Sequence, residues 1–328
     1  MTEIARILVY GDLHLCSKNY GAHKDYPKDS LNALKIVTDE AKKFNATHIV
    51  GLGDFTYGRF NNLEYRSSVE KELNEQYELC KGNRYEIKGN HDSASYGVTE
   101  YEYYLSRGLF KSAENLTFGN VHITMVNFGE EDSTTPNIVY CEDNSHINII
   151  FMHNFFKFKD TNIPNYGKPQ DLDDYVSWFG VDYIVSGHIH TSDVFDGLMT
   201  KEINGIKVGH RVLFDYPGSM SRPAYLGDAT DKVGHIVEIT VYDDSSIKYD
   251  RLDIELPSIE ETFNVADKEA EKVREKLKGD KVDISDIVHN LDTGTDSIGK
   301  PEDIIRSLVG VPEKYINKAL QLLEIGQS

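Results

Sequence analysis

Five short apolar runs, each leading directly into side chains that can bind a cation, constrain this chain more than any other feature. Ile7–Tyr10 runs into Gly11-Asp12-Leu13-His14, and Ile49–Leu52 runs into Gly53-Asp54. Tyr85–Ile87 leads to Gly89-Asn90-His91-Asp92, Ile147–Met152 ends at His153, and Tyr183–Val185 leads to Gly187-His188-Ile189-His190. Each run has the length of a strand and is bounded by Gly or polar residues. Between the first two, Leu31, Leu34, Val37, Ala41 and Phe44 recur at helical spacing, and Val69–Leu79 has a second, more polar helical pattern. This alternation predicts a layered α/β core. Ligands in such cores gather beyond the carboxyl ends of the strands, so five clusters far apart in sequence are expected at one edge.

Further strands are expected at Val121–Phe128, His210–Phe214, His235–Tyr242 and Lys248–Leu256. Near Pro257 the composition shifts to polar segments of helical pattern, Ala266–Leu277, Ile284–Leu291, Pro301–Leu308 and Pro312–Leu323, the last two opening on a proline suited to a helix start. The expected division is a core over residues 1–256 and a C-terminal helical cap or partner-docking region over 257–328.

The residue types suit metal chemistry. Asp and His bind manganese, iron or zinc, and an Asn carbonyl oxygen can complete a hard site. No thiolate accompanies the clusters, which argues against a structural zinc site. One Asp-x-His or one Gly-Asp carries almost no information; the ordered set of five carries a strong signal. The pattern uses five histidines, and His23, His48, His122, His146, His210, His235 and His289 receive no role.

Composition narrows the class. With 328 residues, 39% hydrophobic and 27% charged, the chain reads as soluble and globular. No run approaches the roughly 18 apolar residues of a membrane span, and the N-terminus has no secretory pattern. Three cysteines at unrelated spacings, Cys16, Cys80 and Cys141, point to reduced thiols and a cytoplasmic location. The net charge of −19 is the reverse of a nucleic-acid binder's usual footprint. A DNA substrate would therefore be held by metals, a local basic patch or a partner.

The set Asp12-x-His14, Gly53-Asp54, Gly89-Asn90-His91-Asp92, His153 and Gly187-His188-x-His190 resembles the calcineurin-like metallophosphoesterase superfamily, over roughly residues 4–256. Within it the chain looks most like the SbcD-type DNA repair nucleases and their phage counterparts. The long interval from Asn90 to His153 and the segment Tyr216-Pro217-Gly218-Ser219-Met220-Ser221-Arg222 carry that similarity. The resemblance implies a layered β-sandwich phosphoesterase core with flanking helices.

It also implies roles. One divalent ion would be held by Asp12, His14, Asp54 and His190, and a second by Asp54, Asn90, His153 and His188, with Asp54 shared and manganese as the activating ion. His91 would donate a proton or orient phosphate, with Asp92 fixing its imidazole. The implied activity is exonuclease or endonuclease hydrolysis of DNA phosphodiesters in repair or recombination. The implied partners are an SbcC-like coiled-coil ATPase and a second copy of the chain. Asn61–Leu79 lies where such nucleases place dimer helices, so Tyr65, Val69 and Leu73 would form an apolar seam or else pack on the chain's own core. One departure stands out: Tyr57 occupies the position three after Asp54 where these nucleases carry a phosphate-contacting His.

Two other readings use the same residues. A phosphodiesterase or phosphatase acting on a nucleotide or protein differs only in the pocket, although Asp92 in place of Glu weighs against the protein phosphatases. A metal-free scaffold is disfavoured by the complete ligand set.

Overall fold

The structure is a computed structural model describing residues 1–19, 23–93, 97–129, 146–157, 170–171, 180–203, 206–222 and 234–263. The chain divides into two units, Met1–Ala266 and Asp267–Ser328. The second, with the four helical segments expected there, lies outside the described residues, as does Cys141.

In chain order the first unit contains β1 (Glu3–Tyr10), α1 (Tyr26–Phe44), β2 (His48–Gly51), α2 (Leu63–Leu79), β3 (Arg84–Glu86), α3 (Glu100–Ser106), β4 (Leu116–Phe118), β5 (Val121–Val126) and β6 (Ile147–His153). It continues with β7 (Phe156–Lys157), β8 (Gln170–Asp171), β9 (Tyr183–Gly187), β10 (Asp193–Ile203), β11 (Ile206–Tyr216), β12 (Gly234–Tyr242), β13 (Ile247–Ile254) and α4 (Ile259–Thr262). Among the described residues, five strands form one sheet in the order β13-β12-β1-β2-β3, and six form another in the order β10-β11-β9-β6-β5-β4. The layered α/β core expected from the sequence is therefore present.

The continuous apolar runs arise because both faces of the central strands are buried. In β1, Ile7 and Val9 join Ile149 and Phe151 of β6 in the cluster between the sheets. The alternate residues Leu8 and Tyr10 turn the other way, onto Leu34 and Val37 of α1 and Val69 and Leu73 of α2. In β6 the alternates Ile150 and Met152 enter a third cluster with Ile184 and Val212. Strands β1, β2 and β3 run parallel, as do β5, β6 and β9. Within each parallel set the carboxyl ends share one edge.

The helices follow local signals. The Asp25 side chain caps α1 by accepting from the Lys28 amide at 3.4 Å, and Asn45 closes it in a left-handed conformation (φ 53°). The second helix starts at Leu63, six residues before the expected start. The Asn62 side chain accepts from the Glu64 and Tyr65 amides at 2.9 and 3.2 Å and so satisfies the first turn. Tyr65, Val69 and Leu73 are buried in the chain's own core, so they supply packing against α1 and not an exposed seam.

Two elements depart from the expected pattern. Strand β10 has too many charged residues to read as an apolar run, yet it pairs with β11 along its whole length. Main-chain hydrogen bonds suffice for such an edge strand. Strand β3 begins at Arg84, which is fully buried and donates to Gln76 Oε1 at 2.7 Å and to buried Glu86 at 2.6 Å. A charge with these partners can occupy the core without exposure.

Candidate metal centre

All seven expected ligands come together. Asp12 and His14 follow β1, Asp54 follows β2, Asn90 follows β3, His153 ends β6, and His188 and His190 follow β9. The loops after β1 and β2 run side by side, with His14 N donating to Asp54 O at 2.9 Å and Leu15 N to Phe55 O at 3.0 Å.

The donor atoms form two groups that share one oxygen. In the first, His14 Nε2 lies 2.9 Å from His190 Nε2, 3.9 Å from Asp12 Oδ2 and 3.7 Å from Asp54 Oδ2. His190 Nε2 is 3.6 Å from Asp12 Oδ2. In the second, His153 Nε2 lies 3.4 Å from Asp54 Oδ2 and 3.0 Å from Asn90 Oδ1. His188 Nδ1 is 3.0 Å from Asn90 Oδ1 and 3.2 Å from His153 Nε2. Donors bound about 2.1 Å from one cation sit roughly 3.0–3.4 Å apart in octahedral or tetrahedral arrangement, which the second group matches and which the carboxylate distances of the first group exceed by a few tenths of an ångström. Asp54 is oriented for sharing: its Oδ1 accepts the His91 amide at 2.8 Å, which leaves Oδ2 between the groups.

The residues fit divalent cations on two further grounds. His153 Nδ1 faces the Leu52 carbonyl at 2.8 Å. A proton held there turns Nε2 inward as a lone-pair donor, the usual support for a ligating histidine. Moreover, His14, Asp54 and His188 have φ of 48°, 48° and 76°. Left-handed backbone costs a non-glycine residue about 1–3 kcal/mol and persists only where surrounding structure enforces it.

Glycines permit this closeness at two critical positions. A Cβ on Gly53, whose φ is 97°, would lie 2.5 Å from His153 Nδ1. One on Gly89 would lie 2.2 Å from both the amide nitrogen and Oδ1 of Asp54.

The groups compete strongly for protons. Burial pushes the Asp12 carboxyl up to about 6 against the pull of His153, with Asp54 adding to the rise. Burial would also raise Asp54, but the His153 and His91 charges hold it well below its ordinary value. Burial disfavours charge on His153, yet Asp54 and then Asp12 outweigh it and lift the imidazole to about 9. Burial, aided by the charge of His153, brings His188 down to about 3. His14 is held well below its usual value, first by burial.

The remaining expected residues separate. His91 stands beside the candidate ligands, with Nε2 3.9 Å from Asp54 Oδ2 and its ring 5.1 Å from that of His14. Among the described residues, it forms with His14 and Asp54 one of three clusters close enough to hold an ion, beside Asp12/His14/His190 and Asp54/His153/His188. Tyr57 packs its ring 4.9 Å from that of His91. Asp92 differs from expectation. Its oxygens accept from the amides of Phe55 (3.2 Å), Thr56 (2.9 Å) and Gly89 (2.9 Å) and from the Thr56 hydroxyl (3.0 Å). This buried carboxyl therefore ties the loops after β2 and β3 together instead of fixing the His91 ring. Burial, then the charge of Asp54, pushes it up to about 7.

The sequence reading missed the backing of the ligand loops. Ser219 Oγ and the Met220 amide both donate to the Asp12 carbonyl, at 3.0 and 2.9 Å. Ser221 Oγ donates to Leu13 O at 2.9 Å, and the Tyr26 hydroxyl donates to His14 O at 2.9 Å. The Ser219 amide donates to His190 O at 3.0 Å. The segment after Pro217-Gly218, legible as a motif, thus clasps the loops after β1 and β9 that carry the first donor group.

Residues 5–192 match the family model described as calcineurin-like phosphoesterase. No curated protein matches the chain. Among solved structures, the chain is similar to a dimetal phosphatase from Danio rerio at 11% identity and TM-score 0.41, over 78% of this chain and 99% of that one. It is also similar to Yfce, a phosphoesterase from E. coli, at 15% identity and TM-score 0.35, over 77% and 100%.

Proposed function

The chain belongs to the calcineurin-like phosphoesterase family, whose members use divalent metal ions, and from that membership we propose that it is a manganese-dependent DNA nuclease of the SbcD type. The observation that carries the hydrolytic part is the position of Asp54 Oδ2, shared by two donor groups. When two divalent ions occupy such a centre, they stabilise the attacking and leaving oxygens of an in-line displacement at phosphorus.

The chain's own residues supply the rest. Asp12, His14, Asp54 and His190 would hold one ion, and Asp54, Asn90, His153 and His188 would hold the other. His91 lies beside His14 and the shared Asp54 and would protonate the departing sugar oxygen, a role worth about 10²–10⁴ in rate. Tyr57, against the His91 ring, limits where that ring can turn. The clasp formed by Ser219, Met220 and Ser221 supports the DNA assignment, because that motif carries the resemblance to SbcD-type nucleases.

The net charge of −19 fits a subunit that shares DNA binding with a partner. In this proposal residues 257–328 dock a coiled-coil ATPase, and two copies of the chain act together. The test is digestion of end-labelled duplex and single-stranded DNA with manganese, beside a cyclic dinucleotide, using Asp54→Ala as control. The expected result is DNA cleavage that Asp54→Ala abolishes. Hydrolysis of the cyclic dinucleotide with DNA left intact would overturn the nuclease assignment in favour of a small-nucleotide phosphodiesterase.

A further inference from the structure

Phe128 is out of place for a packing residue. It follows β5 at the edge where the ligands gather, and it is 41% exposed. Its ring lies nearly parallel to His188 (20°, centroids 6.1 Å apart) and edge-on to His153 (77°, 6.0 Å). His188 already has a buried aromatic neighbour in Phe155, at 6.4 Å. Phe128 therefore adds aromatic surface beside the second donor group and leaves much of it in water.

The backbone fixes this ring relative to the ligands. The Phe128 amide donates to Lys88 O at 2.8 Å, and the Lys88 amide donates to Asn127 Oδ1 at 2.9 Å. Lys88 is two residues before the ligand Asn90, so platform and donor group move together. An exposed aromatic beside a phosphate-handling centre suits a substrate with a flat apolar group close to its phosphate. A nucleobase is such a group, and stacking accepts any base because each presents a π-face.

We propose that Phe128 is the stacking platform for a nucleobase next to the scissile phosphodiester, which makes it a substrate-positioning residue on the side of His153 and His188. This rests on the nuclease reading above and names the contact by which that site would grip single-stranded nucleic acid.

The experiment compares two single-stranded DNA oligomers of equal length, one with normal bases and one with abasic residues throughout, cleaved with manganese by wild type, Phe128→Leu and Phe128→Trp. Leucine keeps apolar bulk against His188 but removes the flat ring. Wild type should show a KM for the normal oligomer lower than that for the abasic one by roughly 5- to 150-fold, the range for stacking one base. In Phe128→Leu that ratio should fall toward one with manganese content unchanged, and in Phe128→Trp it should persist. An equal ratio in wild type and Phe128→Leu overturns the platform while leaving the nuclease reading intact. Failure of wild type to cleave either oligomer, with turnover of a phosphotyrosine peptide instead, overturns both.

Discussion

Gly89→Ala tests whether Asp54 must sit where it does. The new methyl carbon would lie 2.2 Å from both Asp54 N and Asp54 Oδ1. Reaching even a tight 3.0 Å contact requires an opening of about 0.8 Å (3.0 minus 2.2). The facing atoms are a backbone amide and a carboxylate that already accepts the His91 amide at 2.8 Å, so neither is free to swing away. Asp54 belongs to both donor groups, and its shift disturbs both. A displacement near 1 Å in a reacting geometry can cost on the order of 10²-fold. The expected outcome is a fall of roughly 100-fold in kcat/KM for manganese-dependent hydrolysis of bis(p-nitrophenyl) phosphate, with a cooperative thermal transition retained. Gly108→Ala is the control. Its φ of 70° makes alanine strained, but no atom lies within 4 Å of the added carbon. That variant should lose about 1–3 kcal/mol of stability and keep its turnover. Gly89→Ala with activity within about threefold of wild type and full metal content would show that turnover does not depend on the position of Asp54.

The other predictions concern protons. His91→Ala should keep its manganese and lose roughly 10²–10⁴ in DNA cleavage, with a smaller loss on bis(p-nitrophenyl) phosphate, whose leaving group needs no proton. A drop in metal content would instead make His91 a ligand, as its place near His14 and Asp54 allows. Manganese affinity should rise with pH between about 6 and 9, because the free site holds a proton on His153, whose value is raised to about 9, and releases it on metal binding. The sign follows from proton competition: below that value each unit by which the pH falls weakens binding up to about tenfold per displaced proton. Isothermal titration at several pH values measures this, and an affinity independent of pH would contradict it.

Much of the candidate site is legible because each candidate ligand ends a strand or follows one. A strand buried on both faces leaves an apolar run, and the first polar residues beyond it lie at the sheet edge. That rule reads Asp12, Asp54, Asn90, His153 and His188 from the sequence as candidates for one edge. It does not read the role of Asp92, since adjacency to His91 does not say which way a side chain turns; the open amides of Phe55, Thr56 and Gly89 captured it. Support from carbonyls, such as Leu52 O behind His153, leaves no residue-type signature at all. Strand β10 escaped because its pairing is main-chain and its side chains are mixed. Helix α3 had a readable capping box, Thr99 with Glu102, on a segment too short to show periodicity. The burial of Arg84 and Glu86 depends on partners from Gln76 and Tyr10 that no local pattern announces.

Metal stoichiometry distinguishes a pair of cations sharing Asp54 from a single bound ion. Elemental analysis of manganese-equilibrated protein, paired with low-temperature electron paramagnetic resonance, should find two ions per chain with the signal of an exchange-coupled pair in wild type, and neither the pair nor turnover in Asp54→Ala. A single uncoupled ion in wild type, or a full coupled pair in Asp54→Ala, would contradict the shared pair.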